Sequence, residues 1–186
     1  MSKSTIPHPH IQTLALESPW GWWNLESTET HVLSFDFLRA TVPADARTEP
    51  ETKLEKRLDC MLSRYFRGEV IDFSQIPVDL TQVTPFRREV LTLLRTVPYG
   101  EVRHYQWLAE TLNKPNASRA VGGALGSNPW PILVPCHRII SKTGALGGFM
   151  RGSSASVWLK AELLTMEGAD FPGKKPPSSL LKAEAL

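Results

Sequence analysis

A thiol, an imidazole and a guanidinium follow one another at Cys136, His137 and Arg138, inside the stretch "NPWPILVPCHRII" that begins at Asn128. A free cysteine has a pKa of about 8.5, so only a small fraction is thiolate at neutral pH, and nucleophilic use needs a base or a positive charge nearby. His137 and Arg138 are the nearest sources of both. Adjacent side chains on an extended segment point to opposite faces, so His137 reaches the sulfur only through a bridging water or a tight turn after Pro135. Its tautomer needs a partner, and Glu167 on the last predicted helix can supply one. Four uses of Cys136 remain open on residue types alone: inert core packing, a metal ligand, a hydrolase nucleophile, or an acceptor of a group taken from a partner. The metal use is the weakest. The chain has two cysteines, Cys60 and Cys136, and its other histidines (His8, His10, His31, His104) show no spacing that completes a tetrahedral site.

A second group of residues lies just upstream, in "SRAVGGALGSN". Gly122 and Gly123 fall inside a predicted helix, where each costs roughly 0.5–1 kcal/mol relative to alanine. With Ala120 and Ala124 they leave a surface nearly bare of side chains, able to lie against another backbone. Arg119 is the long cation near the start of that helix. Either the bare face packs on a neighbouring helix with Arg119 solvated, or it enters a groove of a nucleic acid with Arg119 reaching into the base stack.

These residues need elements to hold them. Residues 84–97 open with Thr84 as N-cap and Pro85 at the first helical position, then carry an apolar stripe of Phe86, Val90, Leu93, Leu94 and Val97. "PYG" ends that helix. Short helices over about 105–112 and 117–126, separated by "NKPN", have the outline of a helix-turn-helix. A last helix over 154–167 places Val157, Ala161 and Leu164 on one stripe. Upstream, the first 16 or so residues read as a loose arm, and "VLSFDFL" alternates as a strand with Leu33, Phe35 and Phe37 on one face. A helix from Leu54 carries Leu58, Met61, Leu62, Tyr65 and Phe66, with Cys60 read as core packing. The expected organisation is a sheet-plus-helix domain over 1–80, a second domain over 81–168, and a flexible tail over 169–186.

Composition suits a soluble globular protein: of 186 residues, 41% are hydrophobic and 22% charged, with no apolar run approaching the ~20 residues of a membrane span. No signal peptide is evident at the N-terminus, and a reducing compartment would leave Cys136 a free thiol. Net charge is uneven. Residues 1–80 carry 8 Lys/Arg against 12 Asp/Glu, whereas residues 81–168 carry 10 against 5. A basic second half favours a polyanionic partner.

From "TPFRREVLTLLRTVPYGEV" through "RAVGGALGSNPWPILVPCHRII" to "GALGGF" and "ELLTMEG", residues 84–168 resemble the O6-alkylguanine-DNA alkyltransferases, also called methylated-DNA–protein-cysteine methyltransferases. The resemblance implies an α+β chain: a small RNase H-like sheet-plus-helix N-terminal domain and a C-terminal helical domain with a winged helix-turn-helix. It implies that Cys136 accepts the alkyl group from guanine O6 in duplex DNA, with O4-alkylthymine a second candidate substrate, after base flipping from the minor groove. His137 would act through water, oriented by Glu167, while Asn128 would hold the turn before the active-site segment. Arg119 would fill the gap left by the extruded base, with Gly122 and Gly123 letting its helix approach. Tyr105 would crowd the phosphate and donate a proton to the leaving guanine. Gln106, Lys114 and Lys142 would touch the DNA backbone. Trp130, Pro131, Val134, Gly147 and Phe149 would line the pocket for the flipped base.

A thioether does not return its alkyl group by simple hydrolysis, so the implied reagent acts once. No metal and no cofactor are expected, and no membrane. The implied protein is a monomer, with cooperative binding along DNA left open, cytoplasmic and nucleoid-associated in a bacterium or nuclear in a eukaryote. Phe149 stands where the family commonly has tyrosine, and "MRGSSASVW" departs from the usual continuation. Two alternatives are a non-catalytic binder of alkylated DNA and a cysteine hydrolase. The first fits poorly with the presence of Cys136, and the second leaves Arg119 and the helix-turn-helix without a role.

Overall fold

The computed structural model describes residues 11–38, 42, 46–150 and 154–172. Three antiparallel strands come first: β1 (Gln12–Ser18), β2 (Gly21–Ser27) and β3 (Val32–Leu38), in the spatial order of the chain. Leu14 faces Leu25, and Leu25 faces Phe35, so one face is apolar across all three strands. Trp23 stacks on Phe35 with ring centroids 4.7 Å apart, a pairing that adds about 0.5–1.5 kcal/mol beyond burial. β1 begins inside the first 16 or so residues, where a loose arm is expected from the sequence. The alternation of Leu14 and Leu16, then of Trp23 and Leu25, is the period-2 signal that makes these residues strands.

Helix α1 (Lys53–Tyr65) lies on that apolar face. Thr52 caps it, accepting from the Glu55 amide while the Glu55 carboxylate accepts from Thr52, so two orphan donors of the first turn are satisfied reciprocally. Glu55 is itself buried and paired with Arg47 at 2.7 Å. The helix buries Leu54, Leu58, Leu62 and Tyr65. Cys60, expected in the core, is exposed. It follows Leu58 by two positions, about 200° round the helix, and so faces solvent.

The linking segment is packed rather than loose, burying Ile71, Phe73, Ile76 and Val78. Arg95 holds it by donating to the carbonyls of Phe73 and Ile76. Then come α2 (Pro85–Leu94), β4 (Arg103–His104), α3 (Tyr105–Thr111), α4 (Ser118–Gly126), β5 (Ile139–Ile140) and α5 (Ser154–Met166). Thr84 and Pro85 start α2 as the sequence indicated, and α3 and α4 flank a short 3-10 turn at Pro115–Ala117. The α+β architecture is as expected.

One continuous core joins the two halves. β3 is the hinge of this union: the Phe35 amide donates to Pro129 O, and the Trp130 indole N–H donates to Val32 O at 3.0 Å. The sheet therefore grips the strand of chain that leads to Cys136. On α5 the buried face includes Leu159, Lys160, Leu163 and Leu164; of the expected stripe Val157, Ala161 and Leu164, only Leu164 is buried, and Val157 and Ala161 are half-buried. This helix is apolar on most sides, so periodicity could not choose its inner face. Beyond Gly168, where a flexible tail was expected to start, Ala169 and Phe171 are buried against Ile140 and Leu164. The departing segment at Arg151 to Ser153 lies outside the described residues.

Candidate active site

Cys136 opens a 3-10 turn, Cys136–Arg138, after Pro135. A tight turn is one of the two routes, with a bridging water, by which the sequence allows His137 to reach the thiol. It also sends Arg138 inward. Cys136, His137 and Arg138 are all buried, the thiol being 5% exposed.

Asn128 sits between helix α4 and the thiol. Its Oδ1 accepts from the Trp130 amide, and its Nδ2 donates to Val134 O at 2.8 Å and to Cys136 Sγ at 3.1 Å. These bonds span the segment from α4 to Cys136. The direct contact with sulfur is an addition to the expected role. Burial pushes the Cys136 thiol up, while the Asn128 bond and the nearby Lys160 charge pull the other way. The resting sulfur is therefore a thiol, and a base must take its proton when it reacts.

The imidazole of His137 is held by Glu167. His137 Nε2 lies 2.9 Å from Glu167 Oε1, which also accepts from Tyr65 Oη at 2.6 Å and Arg138 Nη2 at 2.9 Å. Glu167 Oε2 accepts from Arg138 Nε at 2.9 Å and from the Gly100 amide at 3.2 Å. Burial alone would push this carboxyl up; the His137 hydrogen bond and the Arg138 ion pair outweigh it and hold it well below the usual range. An ionised Glu167 requires a proton on Nε2, which leaves Nδ1 as the basic nitrogen. Nδ1 is buried and has no partner among the described residues. Burial lowers the His137 pKa, against the pull of Glu167.

Three of these groups were invisible as site residues in the sequence. Tyr65 comes from α1, 72 residues before His137. Gly100, at φ 75°, can bring its amide to Glu167 because it lacks a Cβ, which would lie 2.8 Å from the Glu167 carbonyl oxygen. Lys160 is fully buried, donating to Ile139 O at 2.6 Å and Leu146 O at 2.5 Å, and burial lowers its pKa to about 8. A lysine inside "VWLKAELL" was the signal. It bridges β5 and the loop that faces Tyr105.

Tyr105 is half-buried at the start of α3, its pKa raised by burial and then by Cys136. Gly147 meets it directly: at φ 71°, a Cβ on Gly147 would stand 2.7 Å from the Tyr105 hydroxyl. Gly147→Ala should therefore displace Tyr105 and cost about 1–3 kcal/mol through strain and overpacking. Thermal unfolding would register this as a lowered Tm.

Of the other residues expected in a pocket, Trp130, Pro131 and Val134 are buried in the core, and Phe149 lies beneath the surface with its ring edge-on to His137. On α4, Val121, Ala124 and Leu125 face inward while Arg119, Ala120 and Gly123 are exposed. A Cβ on Gly123 would meet nothing, and one on Gly122 would only touch the Tyr105 ring. The expected bare strip is thus divided: Arg119, Ala120 and Gly123 form an outer surface, whereas Ala124 is buried in the core and Gly122 lies against Tyr105, because the helix turns that flank toward α3. Lys114 pairs with Glu89. Gln106 bonds Glu110, Pro115 O and Ser118, stapling the turn between α3 and α4. Lys142 is exposed beside the hollow that Tyr105, Gln106 and Ser118 line. No group of three or more metal-ligating side chains occurs among the described residues, and none of their helices is long and apolar enough to cross a membrane.

Residues 85–169 match the family described as 6-O-methylguanine DNA methyltransferase, DNA binding domain. A methylated-DNA–protein-cysteine methyltransferase of Shigella flexneri is 48% identical over 98 residues, which make up 53% of this chain and 57% of that protein. The Homo sapiens protein of the same name is 37% identical over 164 residues, 81% of this chain and 79% of its own length. The chain thus spans little more than half of the first relative and most of the second. Among solved structures, Mycobacterium tuberculosis OGT in complex with DNA superposes with a TM-score of 0.72 at 32% identity, over 84% of this chain and 92% of that one.

Proposed function

The chain belongs to the methylated-DNA–protein-cysteine methyltransferase family, and on that premise we propose that it repairs DNA by direct reversal, moving an alkyl group from guanine O6 onto Cys136. The observation that carries the reading is the thiol's setting: Asn128 Nδ2 lies 3.1 Å from Sγ, beside an imidazole whose Nε2 is held by a buried carboxylate. In the reaction the sulfur electron pair attacks the alkyl carbon, a C–S bond forms, and the C–O bond breaks with its electrons left on the guanine. The thiol proton passes through water to His137 Nδ1. Tyr105, whose phenol is kept protonated by burial, donates a proton to the leaving base. The thioether product is stable, so each molecule acts once.

Guanine O6 is inside the stack of a duplex, so the base must be rotated out first. The exposed strip of Ala120 and Gly123 suits close approach to the minor groove, with Arg119 occupying the vacated place. Lys142 and, once released from Glu89, Lys114 suit contacts to phosphates. The protein acts as a monomer on double-stranded DNA, with residues 81–168 as the catalytic and DNA-binding unit, in the cytoplasm of a bacterium or the nucleus of a eukaryote.

Incubation with duplex DNA carrying radiolabelled O6-methylguanine tests this. Label should saturate at about one methyl per chain and map to the peptide containing Cys136. Arg119→Ala should slow transfer from duplex DNA by about 10²-fold or more while reacting nearly normally with the free alkylated base. Equal losses on both substrates would remove the base-flipping role. Tight binding without any transfer would favour a non-catalytic binder instead.

A further inference from the structure

The proton-handling side of the site is completed from the N-terminal half of the chain. We propose that Tyr65, on α1, is a positioning residue for the base His137, setting both its tautomer and its basicity; this rests on the alkyl-transfer reading. The Tyr65 hydroxyl has one proton, and its 2.6 Å distance to ionised Glu167 Oε1 directs that proton to the carboxylate. Its oxygen then turns a lone pair toward His137 Nε2, 3.4 Å away. Both neighbours of Nε2 are now acceptors, so the ring proton stays there and Nδ1 stays bare.

The hydroxyl also weakens the carboxylate's hold on a protonated ring. Each hydrogen bond that Glu167 accepts spreads its charge, and among the described residues Tyr65 is the one donor to it from outside the C-terminal half. The groups facing His137 are Glu167, Arg138, Lys160, Tyr65 and the adjacent Cys136, with the Phe149 ring edge-on. Tyr99 packs edge-on to Tyr65 and faces the same carboxylate. Among the described residues that surround Glu167, Tyr65 alone combines a neutral donor to the carboxylate with an acceptor for the imidazole. Its ring is fixed by Phe66, Phe73 and Tyr99, so the hydroxyl direction is set by packing.

Tyr65→Phe keeps that ring packing and deletes the hydroxyl alone. Glu167 then bears more charge, a protonated His137 is better stabilised, and the imidazole pKa rises. Since neutral His137 is the base, the acid limb of the single-turnover rate should move to higher pH, with the plateau rate falling roughly tenfold. A merely structural loss lowers Tm and scales the rate equally at every pH. Titration of nitrogen-labelled His137 by NMR reads the same shift whether or not transfer occurs, so absence of transfer by the wild type would count against the function and not against Tyr65. If Tyr65→Phe loses its cooperative unfolding transition, 3-fluorotyrosine at this position retains the fold and strengthens the donor, and the His137 pKa should then fall. An unmoved His137 titration in the folded variant, or protonation found at Nδ1 in the neutral wild type, overturns the proposal.

Discussion

Glu167→Gln should be the most destabilising single change at this site, costing about 3–5 kcal/mol, the usual penalty for removing one partner of a buried ion pair. The carboxylate accepts from Tyr65, His137, Gly100 and twice from Arg138. A glutamine amide offers one acceptor oxygen, and its NH2 group must face donors that are already committed. Arg138 is left buried with its charge uncompensated, because its remaining bond goes to the Val97 carbonyl. For a chain of this size the loss corresponds to a fall in Tm of about 10 °C or more. Its pH dependence has a definite sign. The folded carboxyl lies well below the ordinary range, so its contribution is complete above the unfolded value and is lost as pH falls toward the folded one. Denaturant titrations should find the gap between wild type and Glu167→Gln widest near neutrality and shrinking below about pH 4. A gap that stayed constant into acid would mean that the charge on Glu167 is not what holds the turn.

What the sequence disclosed about this site was what sits close together along the chain. Cys136, His137, Asn128 and the α3–α4 pair are within about 35 positions of one another; their spacing set out the helix-turn-helix, and the family resemblance supplied the turn at Asn128. Glu167 was within reach because one helix after the loop had to end there. Tyr65, Gly100 and Lys160 were not legible, for a common reason: each has a bland local explanation. Tyr65 continues an apolar helical stripe, Gly100 ends a helix, and Lys160 interrupts a mostly apolar helix. Only the tertiary fold turns these into a carboxylate donor, a close backbone approach and a staple across a loop. Cys60 shows the converse error. Its type favours the core, but its position on α1 puts it in water. The sheet was half legible, β3 by its alternation and β1 only in retrospect, since "ESPWG" resembles the end of an arm as much as a hairpin turn.

Cys136→Ala should remove alkyl transfer completely while leaving the fold nearly untouched, and the combination is the informative part. The sulfur is buried, so its deletion opens a space smaller than a methylene pair and costs about 1 kcal/mol. Asn128 loses the contact to Sγ but keeps its bond to Val134 O and its acceptance from the Trp130 amide, so the turn persists. Arg119, Ala120 and Gly123 lie on an outer face of α4 and do not depend on the thiol. Binding to duplex DNA should therefore equal that of the unreacted wild type, with the same salt dependence. Cys136→Ser tests the nucleophile more narrowly. It preserves a donor near Asn128, but an aliphatic hydroxyl gives up its proton far less readily than a thiol, and His137 Nδ1 is tuned by burial to be a weak base. No transfer should be detectable from that variant either. Label appearing on Cys136→Ala would place the acceptor elsewhere, with Cys60 the remaining thiol, and its exposure on α1 would then make collision rather than a built site the route of transfer.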